Sequence, residues 1–458
     1  MNNNIFSPRR VRVLSTRNAR ANRPVLCFLS RALRAWKNPA LDFAIQVANE
    51  RNTGIWVVVI LDPACQRVFS RHPIFFLEGL SDVVAGLQER QIPLVIHIGD
   101  TLTTVLQHAT HASMVVCDEH PEPWGRRQRE LLSVHAGIPV FAVESDALVP
   151  PFVVANHAHR SARTLRQAIW RLIPEFLPYQ TDLDVRFPMQ NAPDIKNSTL
   201  VEPTQLDSIQ VPGWDCSLET CERPTGGQTA ARVRLTDFVR TNLHHYHEMH
   251  HRADLDVSSK LGPYLRCGHI GIHEVVQACQ AVGGPGADAF LEQVIVRREL
   301  ALNAAWFHPN YGTTGMIPDW ARKTLTERSR RPSGISFQDM QDACTPDEAW
   351  NSAMMEMKMC GTMHNYMRMY WGKQVLYWCE NIDEAFLYLL KWNDQYFWDG
   401  CEPNGTVGVA WVFGLHDRPF GARDGFGLVR SMTPSGLARK FDVNAYKHHV
   451  MKKVAQTH

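Results

Sequence analysis

The segment WNSAMMEMKMCGTMHNYMRMYWGKQVLYW, residues 350–378, decides how the second half of this chain folds. Three tryptophans and seven methionines share it with few charges. Trp371 and Trp378 are seven residues apart, two turns of an α-helix, so their indoles fall on one stripe about 10 Å apart along the axis. Thr345-Pro-Asp-Glu348, just before Trp350, reads as a helix start with Thr345 as N-cap, Pro346 first and Glu348 in capping-box register. The pattern predicts two adjacent helices sharing an aromatic seam. That seam is either core, the usual fate of aromatic and methionine stripes, or a path along which an electron hops to a buried redox cofactor.

Towards the N-terminus the pattern changes. Apolar, β-branched runs at PVLCFLS (24–30), IWVVVILDP (55–63), PLVIHIG (93–99), MVVCDE (114–119) and PVFAVES (139–145) alternate with helical stretches such as FFLEGLSDVVAGLQERQ (75–91). This alternation predicts a Rossmann-like parallel sheet covered by helices on both faces. No GxGxxG follows the first strand, so a dinucleotide site of that type is not indicated. Residues 146–190 read as a helical connector, and 191–230, rich in Pro, Asn, Thr and Gly, as a linker with little core. From about 231 onward helical patterns dominate. The expected organisation is an α/β domain with its connector over 1–190, a linker over 191–230 and an all-helical domain over 231–458.

At 458 residues the chain suits two cores better than one, and 45% hydrophobic with 21% charged residues describes a globular protein. Lys and Arg exceed Asp and Glu by only two, so no global basic field demands a nucleic-acid partner. Locally the balance differs. Between His416 and Lys453 eight basic residues, including Arg418, Arg430, Arg439 and Lys440, face three Asp; Arg322, Lys323, Arg328, Arg330 and Arg331 form a second cluster. Such clusters are either solvated faces or stripes that meet a phosphate backbone. The eleven cysteines show no CxxC and no ligand spacing, and Cys216 and Cys221 are the closest pair. Reduced cytosolic thiols and no bound metal are expected. No signal-peptide core and no membrane-length apolar run is present, so a cytoplasmic monomer is expected.

The words MHNYMRMYWGKQVLYW, VRRELALN (296–303), HPNY with PDWARKTL (308–325), WNDQYFWDGCEPNGTVGVAW (392–411), HDRPF (416–420) and RKFDVNAY (439–446) resemble class II cyclobutane-pyrimidine-dimer DNA photolyases. The resemblance runs, less densely, from about Arg12 to the C-terminus. It implies an N-terminal α/β domain, which in some members holds a light-harvesting antenna chromophore, followed by a helical FAD-binding domain. UV-damaged DNA is the implied partner.

By that resemblance Ser258 and Ser259, in SSKLGPYLRCGHIG with Leu261, meet the pyrophosphate of FAD; read from the residues alone, the serines are an ordinary helix cap. Tyr246 and Arg252 match a Tyr-to-Arg stretch that meets cofactor and DNA. Arg368 and Asp399 form an ion pair over the flavin ring, and Asn393 faces its N5. Trp371 is the flavin-proximal member of the tryptophan ladder, Trp350 lies between, and Trp378 is outermost. Trp411 and Met369 line the pocket for a flipped-out dimer. Arg252, Arg322, Lys323, Arg418, Arg430, Arg439 and Lys440 are the candidate phosphate contacts.

The chain also departs from the family pattern. Gln293 follows Glu292 where the family shows two Glu, the second of which hydrogen-bonds the dimer carbonyl. Asn365 replaces Gly, Phe420 replaces the Trp of HDRPW, His269 and Gly271 alter GQIS, and the Asp of SRD is missing from SRALRAWKNPAL (30–41). Several of these positions are expected in or near the substrate cavity. The expected activity is light-driven dimer repair by a deoxyribodipyrimidine photo-lyase. The alternatives are a cryptochrome-like photoreceptor, or a homologue acting on another photolesion or a small molecule.

Overall fold

Runs of Val, Ile and Leu with no polar alternation make strands that are buried on both faces, the mark of a parallel sheet covered twice. In the computed structural model, which describes residues 6–64, 71–179, 182–195, 199–206, 208–215, 220–328 and 333–455, the five anticipated runs are strands, buried nearly throughout except for Leu94–Ile98, which is partly buried. Cys216, Arg330 and Arg331 lie outside the described residues. In chain order the sheet domain contains β1 (Val11–Ser15), β2 (Val25–Phe28), α1 (Pro39–Glu50), β3 (Ile55–Leu61), α2 (His72–Glu89), β4 (Leu94–Ile98), α3 (Thr101–Ala109), β5 (Met114–Asp118), α4 (Pro123–His135) and β6 (Val140–Val143). A connector helix, α5 (Ala162–Phe176), and a last strand, β7 (Thr199–Val201), follow.

The strand order is β1-β6-β5-β2-β3-β4-β7, parallel through the central five, with β1 and β7 antiparallel at the two edges. Alternate residues feed opposite faces: Cys27, Val57 and Val59 pack under α1 and α2, while Leu26, Trp56 and Val58 pack under α3 and α4. The order reverses between β2 and β5, where α/β sheets open a ligand crevice. Here the chain closes it on itself: Asp118 accepts from the backbone N–H groups of Ser30, Arg31 and Ala32 and pairs with Arg129 at 2.8 Å.

The stretch 191–230, read as a linker with little core, is corrected by the structure. It contributes β7, which pairs with β4, and it buries Val201, Leu206 and Val211 in the sheet core.

The helical half is built from α6 (Gln228–Thr241), α7 (Ile272–Val282), α8 (Gly284–Leu291), a π-helical turn (Glu292–Arg297), α9 (Arg298–Phe307), α10 (Asp319–Glu327), α11 (Glu348–Cys360), α12 (Asn365–Trp378), α13 (Ile382–Tyr396), α14 (Pro403–Val412) and α15 (Val443–Ala455). The start of α11 differs from expectation. Asp347 is the N-cap and accepts from Trp350 N–H at 3.0 Å, whereas Thr345 uses its hydroxyl on Asp347 N–H and Asn351. A carboxylate at the N-cap also complements the positive end of the helix, so Asp347 serves better than Thr345 there.

Buried polar contacts lock the two halves together. Arg31 and Arg298 share Asp146, with Arg31 Nε at 2.7 Å. From the start of α2, Arg71 donates to the carbonyls of Met357 and Tyr396, and His72 Nε2 donates to that of Phe397 at 2.9 Å. The fully reduced cysteine set is also corrected. Cys221 N–H donates to Met359 O, which lays its loop along the end of α11 and joins Cys221 to Cys360 in a disulfide.

Candidate functional site

A cavity of about 930 Å³ opens in the helical half, near the upper end of the range for ligand pockets. Three kinds of wall bound it. The loop carrying Ser258, Ser259 and Leu261 forms one side. Arg234 of α6 holds this loop by donating to the carbonyls of Ser259 (2.8 Å) and Ser258 (3.3 Å), and Leu261 N–H donates to Ser259 Oγ. Lys260, also in the wall, pairs with Asp256 at 2.8 Å and with Glu222 at 2.9 Å. Two serines, Arg234 and Lys260 therefore line one end, with the carboxylates of Asp256 and Glu222 beside Lys260.

The second wall is α12 with the turn after α13. Arg368 Nη2 meets Asp399 at 2.9 and 3.2 Å, and its guanidinium lies 3.8 Å from the Phe397 ring centre. The loop must come close to make this possible: a Cβ on Gly262 would stand 2.7 Å from Asp399 Oδ2. Asn393, nearly fully buried near the end of α13, donates from Nδ2 to Asp394 Oδ1 at 2.9 Å. Gly405 permits α14 to pass over that amide, since a Cβ there would lie 2.4 Å from Asn393 Nδ2. Met369 and Trp371 complete this wall.

Gln293 and Tyr246 line the third side with Phe290 and Val294, and Trp411 closes the cavity from α14. Gln293 sits in the π-helical turn, a local widening of the helix that redirects side chains and recurs at functional sites. Burial raises the pKa of two wall carboxyls: Glu356, which accepts from Tyr446 OH at 2.7 Å, to about 7, and Glu402 also to about 7. His364 caps α12 by accepting Tyr366 N–H, and burial lowers its pKa to about 4, so it is neutral at physiological pH.

Trp350 and Trp378 stand behind this wall. Trp350 is fully buried and donates from Nε1 to Trp371 O at 3.0 Å, and its ring centre lies 5.1 Å from that of Trp378. Trp378 is the least buried of the three at 9%. Among the candidate phosphate contacts, only Arg430 reaches the cavity wall. It pairs with Asp417 at 2.9 Å and shares the Phe420 ring with Arg418. Arg252 pairs with Asp254, and Arg322 pairs with Asp383; Lys323, Arg439 and Lys440 are exposed.

The departures separate by position. Gln293 and Asn365 line the cavity. His269 and Gly271 do not. His269 is fully buried against Gly79 of α2, accepts Gly227 N–H at Nδ1, and is held neutral by burial with its pKa near 3. Gly271 caps α7.

Sequence reading missed Arg234, Lys260 and Phe397. Arg234 lies in a helix with no motif, and the contact of Phe397 with Arg368 spans 29 residues of sequence. Lys260 was legible only as a cation beside two serines. Among the described residues no cluster of His, Cys, Asp or Glu is arranged to hold a metal ion, and no helix is long and apolar enough to cross a membrane.

The donor set suits a flavin dinucleotide: a hydroxyl and cation end for phosphates, an ion pair and a buried amide at the other end, and an indole, Trp371, whose buried Nε1 has no partner.

Residues 25–186 match the DNA photolyase family. A protein of Methanothermobacter thermautotrophicus named deoxyribodipyrimidine photo-lyase is 33% identical over 428 residues, which cover 92% of this chain and 93% of that protein. A bacterial class III photolyase from Agrobacterium tumefaciens superposes with a TM-score of 0.73 at 20% identity, over 96% of this chain and 88% of its own. A cryptochrome from Synechocystis sp. PCC6803 gives 0.73 at 17% identity, over 94% and 89%. An α/β sheet domain followed by a helical domain is the architecture shared with both structures.

Proposed function

The chain belongs to the photolyase/cryptochrome family, and we propose that it is a class II-type deoxyribodipyrimidine photo-lyase that uses FAD and light to split cyclobutane pyrimidine dimers in DNA. The observation that carries this reading is the single cavity that unites the Ser258–Leu261 loop, the Arg368–Asp399 pair, Asn393, Trp371 and Trp411. A dinucleotide end and a stacking surface for an extruded base meet in one space.

Bound FAD, in its reduced form, would supply light-driven one-electron chemistry towards the dimer. The chain's own residues do the remaining work. Ser258, Ser259, Lys260 and the loop N–H groups take the pyrophosphate, with Arg234 fixing the loop from behind. Arg368 and Asp399, paired with each other, would hold the ring system, and Phe397 packs against the guanidinium. The Asn393 amide offers a donor or an acceptor to a ring nitrogen. Trp411 and Met369 receive the extruded dimer by stacking, and the Gln293 amide donates N–H to a dimer carbonyl as negative charge develops there. Arg430, at the cavity wall, meets a DNA phosphate, and Arg418, Arg439, Lys440, Arg252, Arg322 and Lys323 are the further candidate phosphate contacts. Trp371, Trp350 and Trp378 would relay electrons inward from an external reductant. FAD bound to a folded protein, and light-dependent recovery of monomers from dimer-containing DNA, are the tests.

Gln293 favours a second reading, in which the same machinery serves another substrate. A Gln amide donates a hydrogen bond but holds no transferable proton. If dimer repair is absent while FAD binding and photoreduction are intact, this reading replaces the first.

A further inference from the structure

The aromatic seam forks at Trp371. Besides its link to α11, its indole lies 5.9 Å, centre to centre, from Trp392 of α13. Trp392 is fully buried, stacks on Phe337 at 5.5 Å with planes 10° apart, and lies 5.9 Å from Tyr388, one turn earlier on the same helix. Phe337 closes the cluster at 4.5 Å from Tyr388. Tyr388 is half-buried, and among the described residues nothing hydrogen-bonds its hydroxyl. A continuous series of ring contacts therefore runs from the cavity wall to a phenol open to water.

We propose that Trp392 and Tyr388 form a second electron-supply arm to Trp371, ending in a tyrosine, beside the arm through Trp350 and Trp378. The proposal rests on the reading of Trp371 as electron donor to light-excited, oxidised FAD. Trp371 gives up one electron to the excited oxidised flavin and becomes a radical cation. Its buried Nε1 has no protein acceptor, so the charge is not quenched by proton loss to a neighbour. Trp392 gives an electron to Trp371. The Trp392 Nε1–H points at the amide oxygen of Gln341, too weak a base to take its proton, so this radical too remains a cation able to oxidise Tyr388. Tyr388 then gives an electron to Trp392 and its phenolic proton to water, leaving a neutral tyrosyl radical. A soluble thiol or enediol reductant returns one hydrogen atom. The net result is one electron delivered inward, one proton released to water and one hydrogen atom taken from the reductant.

Proton loss makes the last step hard to reverse. An indole radical cation in the seam recombines by simple electron return. A tyrosyl radical must recover a proton as well, so this arm holds the separated charge longer.

The experiment is illumination of the FAD-loaded protein without added reductant, freezing, and electron paramagnetic resonance with ring-deuterated tyrosine to identify the radical. The wild type should give a tyrosyl signal that narrows on deuteration. Tyr388→Phe, a change at a half-exposed position that leaves the fold intact, should lose most of it. Trp392→Phe should do the same at matched flavin content and melting temperature, whereas Trp378→Phe should retain it. A wild type showing only tryptophan radicals that depend on Trp371 overturns the tyrosine arm and leaves the parent reading standing. A tyrosyl signal undiminished in Tyr388→Phe also overturns it. A tyrosyl signal undiminished in Trp371→Phe overturns both.

Discussion

Replacing Lys373 by Met should change how stability depends on pH. Lys373 is fully buried on α12, donates to Val412 O, and lies 4.9 Å from the centre of the Trp411 ring. Burial pushes its pKa from 10.5 down to about 7, with Asp417 opposing the shift and Arg430 adding to it. At about 1.4 kcal/mol per tenfold change, that displacement is worth roughly 5 kcal/mol. The sign follows from proton counting. The unfolded chain keeps the proton up to its ordinary pKa, whereas the folded protein releases it near 7, so the cost is full below 7 and fades as pH rises towards 10.5. Methionine keeps an unbranched apolar stem but loses the bond to Val412, about 1–3 kcal/mol for a carbonyl left unpaired. It also loses the cation–π attraction, about 0.5–2 kcal/mol. Below pH 7 the variant should therefore equal or exceed the wild type by up to about 3 kcal/mol. Near pH 10 it should be the weaker protein by about 1–3 kcal/mol. Urea midpoints followed by far-UV circular dichroism across that range measure the difference. Parallel profiles for the two proteins would refute the argument, because they would mean that Lys373 keeps an ordinary pKa.

Asp399→Ala should weaken FAD binding, because it strands the Arg368 guanidinium in the cavity wall at a cost of about 1–3 kcal/mol; quenching of flavin fluorescence on titration reads the roughly ten- to hundredfold loss. Trp371→Phe should abolish most photoreduction of oxidised FAD in the presence of an external reductant while reduction by dithionite survives; wild-type photoreduction in that variant would return the seam to plain core packing. Gln293→Glu should raise repair per absorbed photon severalfold, since a carboxyl in its protonated form donates to the dimer carbonyl more strongly than an amide. Quantum yield on a defined thymine-dimer oligonucleotide is the measure, and strong wild-type repair that does not respond would show that this position does not limit the chemistry.

What could be read from the sequence follows the strength of each physical signal. The five central strands were legible because a strand covered on both faces is an unbroken apolar run. β1 and β7 were not, because edge strands need only one buried side: β1 has no fully buried residue and β7 has one. The aromatic seam was visible as spacing, but the fork at Trp371 depends on how α13 packs against α12, which no local pattern encodes. Lys373 reads as a surface lysine, and only its isolation among apolar residues in MYWGKQVLYW hints otherwise. The contact of Cys221 with Cys360 joins residues 139 apart, and the π-helical turn under Gln293 arises from a shifted backbone bond that composition does not register.

The most direct test of the account is repair itself. The purified protein, loaded with FAD and chemically reduced, is illuminated with an oligonucleotide carrying one thymine dimer, and monomer recovery is followed by chromatography against a dark control. The account predicts light-dependent restoration of two thymines, lost in Asp399→Ala unless FAD is supplied in excess. No restoration by protein that holds its full complement of reduced FAD would contradict it.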